Sequence, residues 1–267
     1  GKERTIIHLL NAKSGITINN GSTENFQGTY HAIIEDLYID GGGMSLTGLE
    51  LVGARETSIR RIRITNCFVG LKTHQSWSNK LEDSDIEQNL WDNVIYGENS
   101  NDFSNVNNKF DNAGHNGVVI DGYSDALTFD QCVFQSCGRN GLLVKAGQSI
   151  TLINPHFENN NKEQDDYGDI RVSGEKSVVT SFNVFGGGFY SVNESFVFDF
   201  DKVLEVTLIG YSVHGSNLST IIKTSTNTGK IHLLGQVNAT GATNSDDNNK
   251  INDISNTSFR NNKKSTS

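Results

Sequence analysis

Three carboxylates recur at a regular interval in a short repeated phrase. Glu87, Asp111 and Glu158 each follow a large apolar residue, and Gln135 takes the equivalent place in the phrase between the last two. The intervals along this series are 24, 24 and 23 residues. Hydrolysis of a glycoside needs two carboxyl groups roughly 5 to 9.5 Å apart, one of which holds its proton. If successive phrases stack on one another, Glu87, Asp111 and Glu158 are the predicted catalytic acid and base.

The same column also has a plainer interpretation. An outward row of acidic side chains can be a solvated face, and a cation beside each carboxylate would relieve the repulsion. Lys109 and His156 each stand one residue before the apolar member of a phrase, so they are placed to do this. Neutralisation by these two side chains would weaken the case for catalysis, and both interpretations stay open.

Aromatic, imidazole and guanidinium groups are the side chains expected to bind a sugar. Rings cover the apolar face of a sugar, and polar groups beside them orient its hydroxyls. Trp91 is the leading candidate because it lies four residues after Glu87 in a polar turn segment, although an aromatic ring in a turn can also be a packing plug. The predicted substrate-binding residues are Trp91, Tyr123, His156, Tyr167 and Arg171.

An insertion interrupts the repeat between Phe157 and Phe189, whose separation of 32 residues exceeds the period by 8. We place the insertion at residues 159–167. Inserted loops of repeat proteins usually lie on one working face, and Tyr167 offers a ring for sugar stacking there. A plain solvated loop is the alternative.

Acidic and sulfur ligands are present, but not in a metal-binding pattern. Three aspartates in or beside the insertion supply oxygen atoms of the kind that calcium prefers, yet no EF-hand spacing appears. The three cysteines form no CxxC motif, and we expect them to be buried apolar residues. We predict no cofactor and no metal site, with calcium as a minority alternative. The residues concerned are Asp165, Asp166, Asp169, Cys67, Cys132 and Cys137.

The elements that must position these side chains belong to a repeat of about 24 residues. Each repeat holds short apolar runs separated by Gly, Asn, Asp and Ser, which tolerate tight turns. Such a unit fits a parallel β-solenoid, whose turns stack about 4.8 Å apart and wind right-handedly. We predict an all-β, right-handed parallel β-helix of about eight turns at residues 30–239, after a segment or cap at 1–29 and before a polar cap, linker or disordered tail at 240–267. The main column is Ile86, Phe110, Phe134, Phe157, Phe189, Val213 and Val237.

Another column of the repeat carries an outward apolar stripe. The middle residue of each of its apolar triplets is expected to face outward, since side chains alternate along a strand. Covering by identical subunits around a three-fold axis is the preferred account, and covering by the chain's own loops is the alternative. Arg171 breaks the stripe, where it would pair with a carboxylate across the subunit contact or bind an acidic sugar. The predicted outward residues are Ile95, Val119, Leu143, Arg171, Val197 and Ile221.

Composition disfavours two classes of partner. The chain has 22 basic and 31 acidic side chains and a net charge of -9, whereas phosphate binding needs clustered cations. No apolar run approaches the roughly 20 residues of a membrane-spanning helix. We therefore expect neither nucleic-acid binding nor membrane insertion.

The repeated segments resemble a known superfamily. Residues 34–41, 57–70 and 116–121, together with the low proline content and the Asn-rich turns, are similar to pectate-lyase-like right-handed β-helix proteins, above all to phage tailspikes and pre-neck appendages. The resemblance implies a homotrimeric spike, located at a virion tail or appendage, that acts at the host cell surface. Such spikes bind, and often cleave, a bacterial surface polysaccharide.

Three functions remain as hypotheses. The preferred one is a glycan depolymerase that works by glycoside hydrolysis with the carboxylate column. The second is a receptor-binding spike without catalysis. The third is a polysaccharide lyase or epimerase, in which Arg171, Lys145 or a histidine abstracts a proton beside a uronate carboxylate. The net negative charge argues against an anionic substrate.

Overall fold

The chain forms a parallel β-helix, as the repeat predicts. The computed structural model describes residues 5–9, 14–19, 29–191, 195–215, 220–234, 238–239, 243–245 and 251–253. All strand pairs in this part of the chain are parallel, and no helix is present in it. Each turn contributes one strand to each of three stacked sheets, which we number in the order in which a turn visits them. About eight turns, which follow the period of the sequence repeat, separate Ile33 from Leu234.

Sheet 1 is a continuous stack of ten strands. Its strands are Ile33–Glu35, Ser58–Arg60, Lys80–Glu82, Phe103–Val106, Leu127–Asp130, Gly147–Ile153, Val179–Phe185, Val203–Ile209, Lys230–Leu234 and Ile251–Asp253. Thr29–Tyr30 and Ala54–Arg55 pair separately beside it.

Sheets 2 and 3 meet at a bend, and two long strands, Leu37–Val52 and Arg63–His74, run through both. The other strands of sheet 2 are Thr5–His8, Asp85–Glu87, Lys109–Asp111, Val133–Gln135, His156–Glu158, Gly188–Ser191, Ser212–Gly215 and Asn238–Ala239. Those of sheet 3 are Ser14–Asn19, Val94–Tyr96, Val118–Ile120, Leu142–Val144, Gly168–Val172, Phe196–Phe200, Thr220–Thr224 and Thr243–Ser245.

The main column has the predicted register through most of its length. Phe110 pairs with Ile86 on one side and with Phe134 on the other, and the pairing continues to Val213. The last step is different, because Val213 pairs with Ala239, and the predicted partner Val237 lies outside the described residues.

The predicted register of sheet 3 is wrong in its C-terminal part. Ile170 pairs with Phe198, so Arg171 faces Asp199 rather than Val197. Val197 and Ile221 belong to the buried core instead of facing outward. The reason is that Phe196 pairs with Gly168, so the apolar triplet begins two residues earlier in its strand than the triplet at Ile170 does.

The insertion is divided between two loops rather than confined to residues 159–167. The chain from Phe157 to Ile170 is longer than the equivalent stretch from Phe134 to Leu142 on the preceding turn. The remaining extra residues lie between the strands Gly168–Val172 and Val179–Phe185, at residues 173–178. The two inserted loops therefore flank the same strand of sheet 3.

Stacked side chains fill the interior. Phe110, Phe134, Phe157 and Phe189 form a ladder, with ring centroids 5.2, 4.4 and 5.1 Å apart. The residue two positions after each of the first three rings adopts a positive φ, at Asn112, Ser136 and Asn159, which suits the polar residues found there.

Strands also occur in both terminal segments. Thr5–His8 and Ser14–Asn19 extend sheets 2 and 3 at the N-terminal end, while Thr243–Ser245 and Ile251–Asp253 extend sheets 3 and 1 at the other. The rest of the predicted tail at 240–267 lies outside the described residues. The part of the chain that the structure describes includes no helix with the length and hydrophobicity needed to span a bilayer.

Candidate functional site

The predicted catalytic carboxylates share one column on the outer face of sheet 2. Glu87 pairs in register with Asp111, and Gln135 with Glu158. Glu87 is held by Arg63, whose Nη2 lies 2.5 Å from Oε1. Lys109 Nζ lies 2.8 Å from Asp111 and 3.9 Å from Glu87.

Glu158 is likewise paired, because His156 Nε2 lies 3.0 Å from its Oε2. The hydrogen bond to Asp111 raises the pKa of Lys109, so this ammonium stays charged beside the column. These ion pairs favour the interpretation of sheet 2 as a neutralised, solvated face. Catalysis by Glu87, Asp111 and Glu158 remains a prediction.

A different row of side chains lies at the bend between sheets 2 and 3. Leu46, Phe68, Trp91, His115 and Arg139 occupy it on successive turns, and we call this row the bend ladder. The backbone N–H of Trp91, His115 and Arg139 each donates to the preceding member. Trp91 stacks on Phe68, with ring centroids 5.4 Å apart, and His115 packs against the other side of Trp91.

The bend ladder is one wall of a cleft of about 290 Å³ on the outer face of sheet 3, which we call the central cleft. Its floor is the apolar stripe of Ile95, Val119 and Leu143, and its far wall follows the carboxyl ends of the strands. The apolar floor and the ring of Trp91 are thus surrounded by ionisable groups. The lining residues are Trp91, Asp92, Ile95, His115, Asn116, Val119, Asp121, Arg139, Leu143 and Lys145.

Asp92 is the buried carboxyl group of the central cleft. Its Oδ1 accepts hydrogen bonds from the backbone N–H and the side-chain amide of Asn116, both at 2.9 Å. Asn140 donates to Asn116 in the same way on the next turn. Burial raises the pKa of Asp92, although the hydrogen bonds from Asn116 act against it. Oδ2 accepts no hydrogen bond from any described residue, so it is the oxygen that can hold a proton.

Asp121, on the opposite wall, is kept ionised. Burial acts to raise its pKa, but hydrogen bonds from Lys176 and Lys145 outweigh burial and hold the pKa below its usual value. Their ammonium groups lie 2.8 and 3.1 Å from the carboxylate. Glu175 also pairs with Lys145, at 3.1 Å. The inserted loop at 173–178 therefore supplies this wall with one cation and one anion.

His115 and Arg139 are held by the other inserted loop. The single Nε–H of Arg139 donates a bifurcated hydrogen bond to the two carboxylate oxygens of Glu163, at 3.0 and 3.2 Å, and Glu163 lies 3.8 Å from His115. The guanidinium of Arg139 also lies over the rings of Trp91 and Tyr167. Burial and the charge of Arg139 lower the pKa of His115, which favours the neutral imidazole. Its Nδ1 is buried and has no hydrogen-bond partner among the described residues.

The structure brings only some of the predicted substrate-binding residues together. Trp91 lines the central cleft and is 40 % exposed, and Tyr167 lies behind Arg139. His156 belongs to the sheet 2 face instead. Tyr123 is exposed in a different turn, where it bonds to Gln148.

Arg171 lies near a carboxylate of its own chain, and its role in binding an acidic sugar stays a prediction. Its Nε lies 3.4 Å from Asp199 on the next turn of the same chain. Lys223 approaches Asp199 from the following turn, at 3.7 Å. Arg171 therefore pairs with a carboxylate within the chain.

Sequence reasoning missed Asp92, Asp121 and Arg139. A usable signal was present, because Arg139 lies one repeat period after His115, and Lys145 lies one period after Asp121. The repeat therefore places each pair on adjacent turns. The signal was overlooked because these residues lie beside the strands rather than in the repeated apolar phrase.

The comparisons with known proteins agree on the architecture. The family model described as periplasmic copper-binding protein (NosD) matches residues 32–164, just under half of the chain. No curated protein matches the chain. Three similar solved structures come from two bacteria, and their sequence identities are low.

The A-module of mannuronan C-5 epimerase AlgE6 from Azotobacter vinelandii is 14 % identical with a TM-score of 0.65, and the match covers 92 % of this chain and 78 % of that one. The AlgE4 A-module from the same organism is 16 % identical with a TM-score of 0.55, covering 91 % and 81 %. DFA-IIIase from Arthrobacter chlorophenolicus A6 is 11 % identical with a TM-score of 0.55, and the match covers 88 % of this chain but only 64 % of that one.

The described residues do not offer a set of ligands suited to the copper that the description of the matched family names. Copper sites use thiolate, thioether and imidazole groups. Burial raises the pKa of each of the three thiols, at Cys67, Cys132 and Cys137, to about 12, so each stays protonated in the core. No group of three or more His, Cys, Asp or Glu side chains that could hold a metal occurs in the described part of the chain.

The candidate calcium ligands do not converge either. Asp169 is buried and accepts a hydrogen bond from Asn160, whereas Asp166 pairs with Lys223 on the surface.

The stacked register of the strands and the matches to solved structures indicate the same architecture. The chain has the parallel β-helix fold, which it shares with these solved structures.

Proposed function

We propose that this protein binds a bacterial surface polysaccharide and cleaves it by glycoside hydrolysis in the central cleft. The observation that carries the proposal is that two carboxyl groups line one cleft with pKa values shifted in opposite directions. The pKa of Asp92 is raised and that of Asp121 is lowered. Such a difference between two pKa values is how an enzyme keeps one carboxyl group as an acid and another as a base at the same pH.

Each group has a defined role in this reaction. Asp92 donates the proton on Oδ2 to the glycosidic oxygen as the bond between that oxygen and the anomeric carbon breaks. Asp121, as carboxylate, accepts a proton from the water that adds to the anomeric carbon, so that the products are two shorter saccharides. Trp91 offers the exposed edge of its ring to the sugar, because Phe68 and His115 pack against its two sides, and the apolar floor excludes water.

The wider setting belongs to the same proposal. Support comes from the fold, since the similar structures described above include enzymes whose names specify mannuronan as the polymer acted on. We place the protein outside the bacterial cytoplasm, in a homotrimeric spike at a virion tail or appendage that meets the host cell surface. A receptor-binding spike that holds the glycan in this cleft without cleaving it is the non-catalytic alternative.

A second reaction is favoured by one specific feature of the central cleft. Neutral His115 is placed to abstract a proton, and Arg139 and Lys145 are cations that would neutralise a uronate carboxylate. Proton abstraction beside that carboxylate leads to epimerisation or, with loss of the leaving group, to elimination. Hydrolysis is the better-supported reaction, because each of these cations already pairs with a carboxylate of the chain.

Incubation with purified polysaccharides separates these reactions. The substrates are capsular polysaccharides, O-antigen chains and polymannuronan. New reducing ends without unsaturated products indicate hydrolysis, which we expect. Ultraviolet absorbance from unsaturated uronates indicates elimination, and a changed anomeric proton spectrum at constant chain length indicates epimerisation. Binding without any product indicates adhesion.

Amide variants locate the reaction. Asp92→Asn is expected to lower kcat by about 10² to 10⁴, since a positioned acid contributes this much. Asp130→Asn, on the outer face of sheet 1, is the matched control and is expected to leave the rate unchanged. Glu87→Gln, Asp111→Asn and Glu158→Gln test the sheet 2 column. Full activity of Asp92→Asn together with loss in one of these three would move the site to sheet 2.

A further inference from the structure

The central cleft continues along the helix axis toward the N-terminal turns. A second groove of about 520 Å³ lies there, and Trp91 and Ile95 line both spaces. We call it the N-terminal groove. Its wall is the apolar half of the bend ladder, formed by Leu46, Phe68 and Trp91. The bend ladder spans five turns from Leu46 to Arg139, or about 19 Å at 4.8 Å per turn.

The wall of the N-terminal groove is an aromatic shelf. The rings of Phe68 and Trp91 are inclined by only 20°, and each residue is 40 % exposed. Leu46 is also exposed beside them. Exposed apolar groups that adjoin one another at the rim of a groove mark a binding surface more often than single exposed residues do.

Polar groups face this shelf from the floor. Glu50 and Lys72 pair in register on adjacent turns and line the groove. Ser14 Oγ donates to Glu50 at 3.1 Å, which orients the carboxylate. The ammonium of Lys72 is exposed and forms no ion pair with a described residue. An apolar wall beside a polar floor matches a sugar ring, which has an apolar face and an edge of hydroxyl groups.

We infer that the N-terminal groove binds further units of the same polysaccharide whose reacting unit lies in the central cleft. The exposed edge of the Phe68 ring packs against the unit next to the one at Trp91, and Glu50 and Lys72 bind that unit's polar groups. This inference rests on the proposed function, because the two spaces are continuous and take one chain along the helix axis. The protein therefore selects long chains over short ones.

Replacement of Phe68 tests the inference. Phe68→Ala is expected to raise KM for long oligosaccharides by about threefold to tenfold, since an aromatic contact contributes roughly 0.5–1.5 kcal/mol. The loss of kcat/KM should grow with chain length, whereas Asp92→Asn should lose kcat at every length. Phe185→Ala is the matched control, because Phe185 is 37 % exposed on sheet 1, away from the groove.

The measurement uses capsular polysaccharides, O-antigen chains and polymannuronan, each with its short and long oligomers. Binding is followed by the fluorescence of Trp91 in a Trp77→Phe background, since the chain has two tryptophans. If kcat/KM depends on chain length equally in the wild type and in Phe68→Ala, with activity intact, the inference about the N-terminal groove is overturned and the proposed function is not. No binding or cleavage of any of these glycans by the wild type would overturn the proposed function, and the groove with it.

Discussion

At the scale of single residues, the surroundings of Asp92 in its turn favour the protonated form of its carboxyl group. Asn116 occupies one carboxyl oxygen with two hydrogen bonds, and the burial of the group disfavours its charged form. Asp121 lines the opposite wall of the same cleft, and two lysines keep it charged. Neighbouring groups, rather than residue type, therefore divide the acid and base roles of the proposed reaction.

The pH dependence of cleavage follows from these two shifts. We expect kcat/KM to be highest between the lowered pKa of Asp121 and the raised pKa of Asp92, and to fall as pH rises through the latter, because Asp92 then loses the proton it must donate. Asn116→Ala removes a hydrogen bond that lowers the pKa of Asp92. The basic limb should therefore move to higher pH in a pH–rate profile; a shift to lower pH would contradict the assignment.

At the scale of elements, the fold depends on vertical ladders of identical or similar side chains. The phenylalanine ladder joins four strands of sheet 2, and its rings are fully buried. Because parallel strands of a solenoid contact only their neighbours, each ring contributes to the two interfaces on either side of its turn.

Truncation of one ring should weaken the whole stack. Phe157→Ala is expected to lower the free energy of unfolding by about 3–5 kcal/mol through the cavity it leaves. Exposed Phe185→Ala should change it by less than about 0.5 kcal/mol. Urea denaturation followed by circular dichroism compares the two variants, and similar midpoints would show that the ladder is not a principal source of stability.

Asn105 is the polar exception in the interior. It replaces a large apolar residue in its column, and its Oδ1 accepts a hydrogen bond from the buried hydroxyl of Tyr96. Asn105→Leu should destabilise the protein by about 1–3 kcal/mol, because Tyr96 then has no acceptor. Adding Tyr96→Phe should recover part of that loss in the same denaturation experiment; additive losses would show that the hydrogen bond is not the cause.

At the scale of the whole molecule, the apolar stripe of sheet 3 has two competing interpretations, a subunit contact and the floor of a cleft. Ile95, Val119 and Leu143 suggested a subunit contact from the sequence, but in the fold they form the floor of the central cleft. Val119 is already buried by neighbouring side chains of its own chain. A trimer that leaves the cleft open must therefore assemble through another surface.

Sedimentation of the whole chain tests this arrangement. We expect the mass of three chains for the proposed homotrimeric spike, and the same mass for Leu143→Asp, because the substitution alters the cleft floor and not the subunit contact. A monomeric Leu143→Asp variant with a trimeric wild type would show that the stripe is the contact. The central cleft would then be closed between subunits.

The amino-acid sequence by itself determined the stacking of the chain. A nearly constant repeat period, with apolar residues in fixed positions and turn-forming residues between them, allows one solution in which every turn buries its apolar side chains against the next. The register of Glu87 with Asp111 and of Phe110 with Phe134 follows directly, since a slip by one residue would turn the apolar set outward.

Only the tertiary structure decided which polar residues work together. The path of the two inserted loops brings Glu163 to Arg139 and Lys176 back to Asp121, two turns away, and no local pattern predicts how a loop folds back. The register at Val197 was also outside the reach of the sequence pattern, because the pairing of Phe196 with Gly168 places Val197 in the core. Protonation also depends on burial and on neighbours from other turns, so Asp92 could be recognised only once its surroundings were in place.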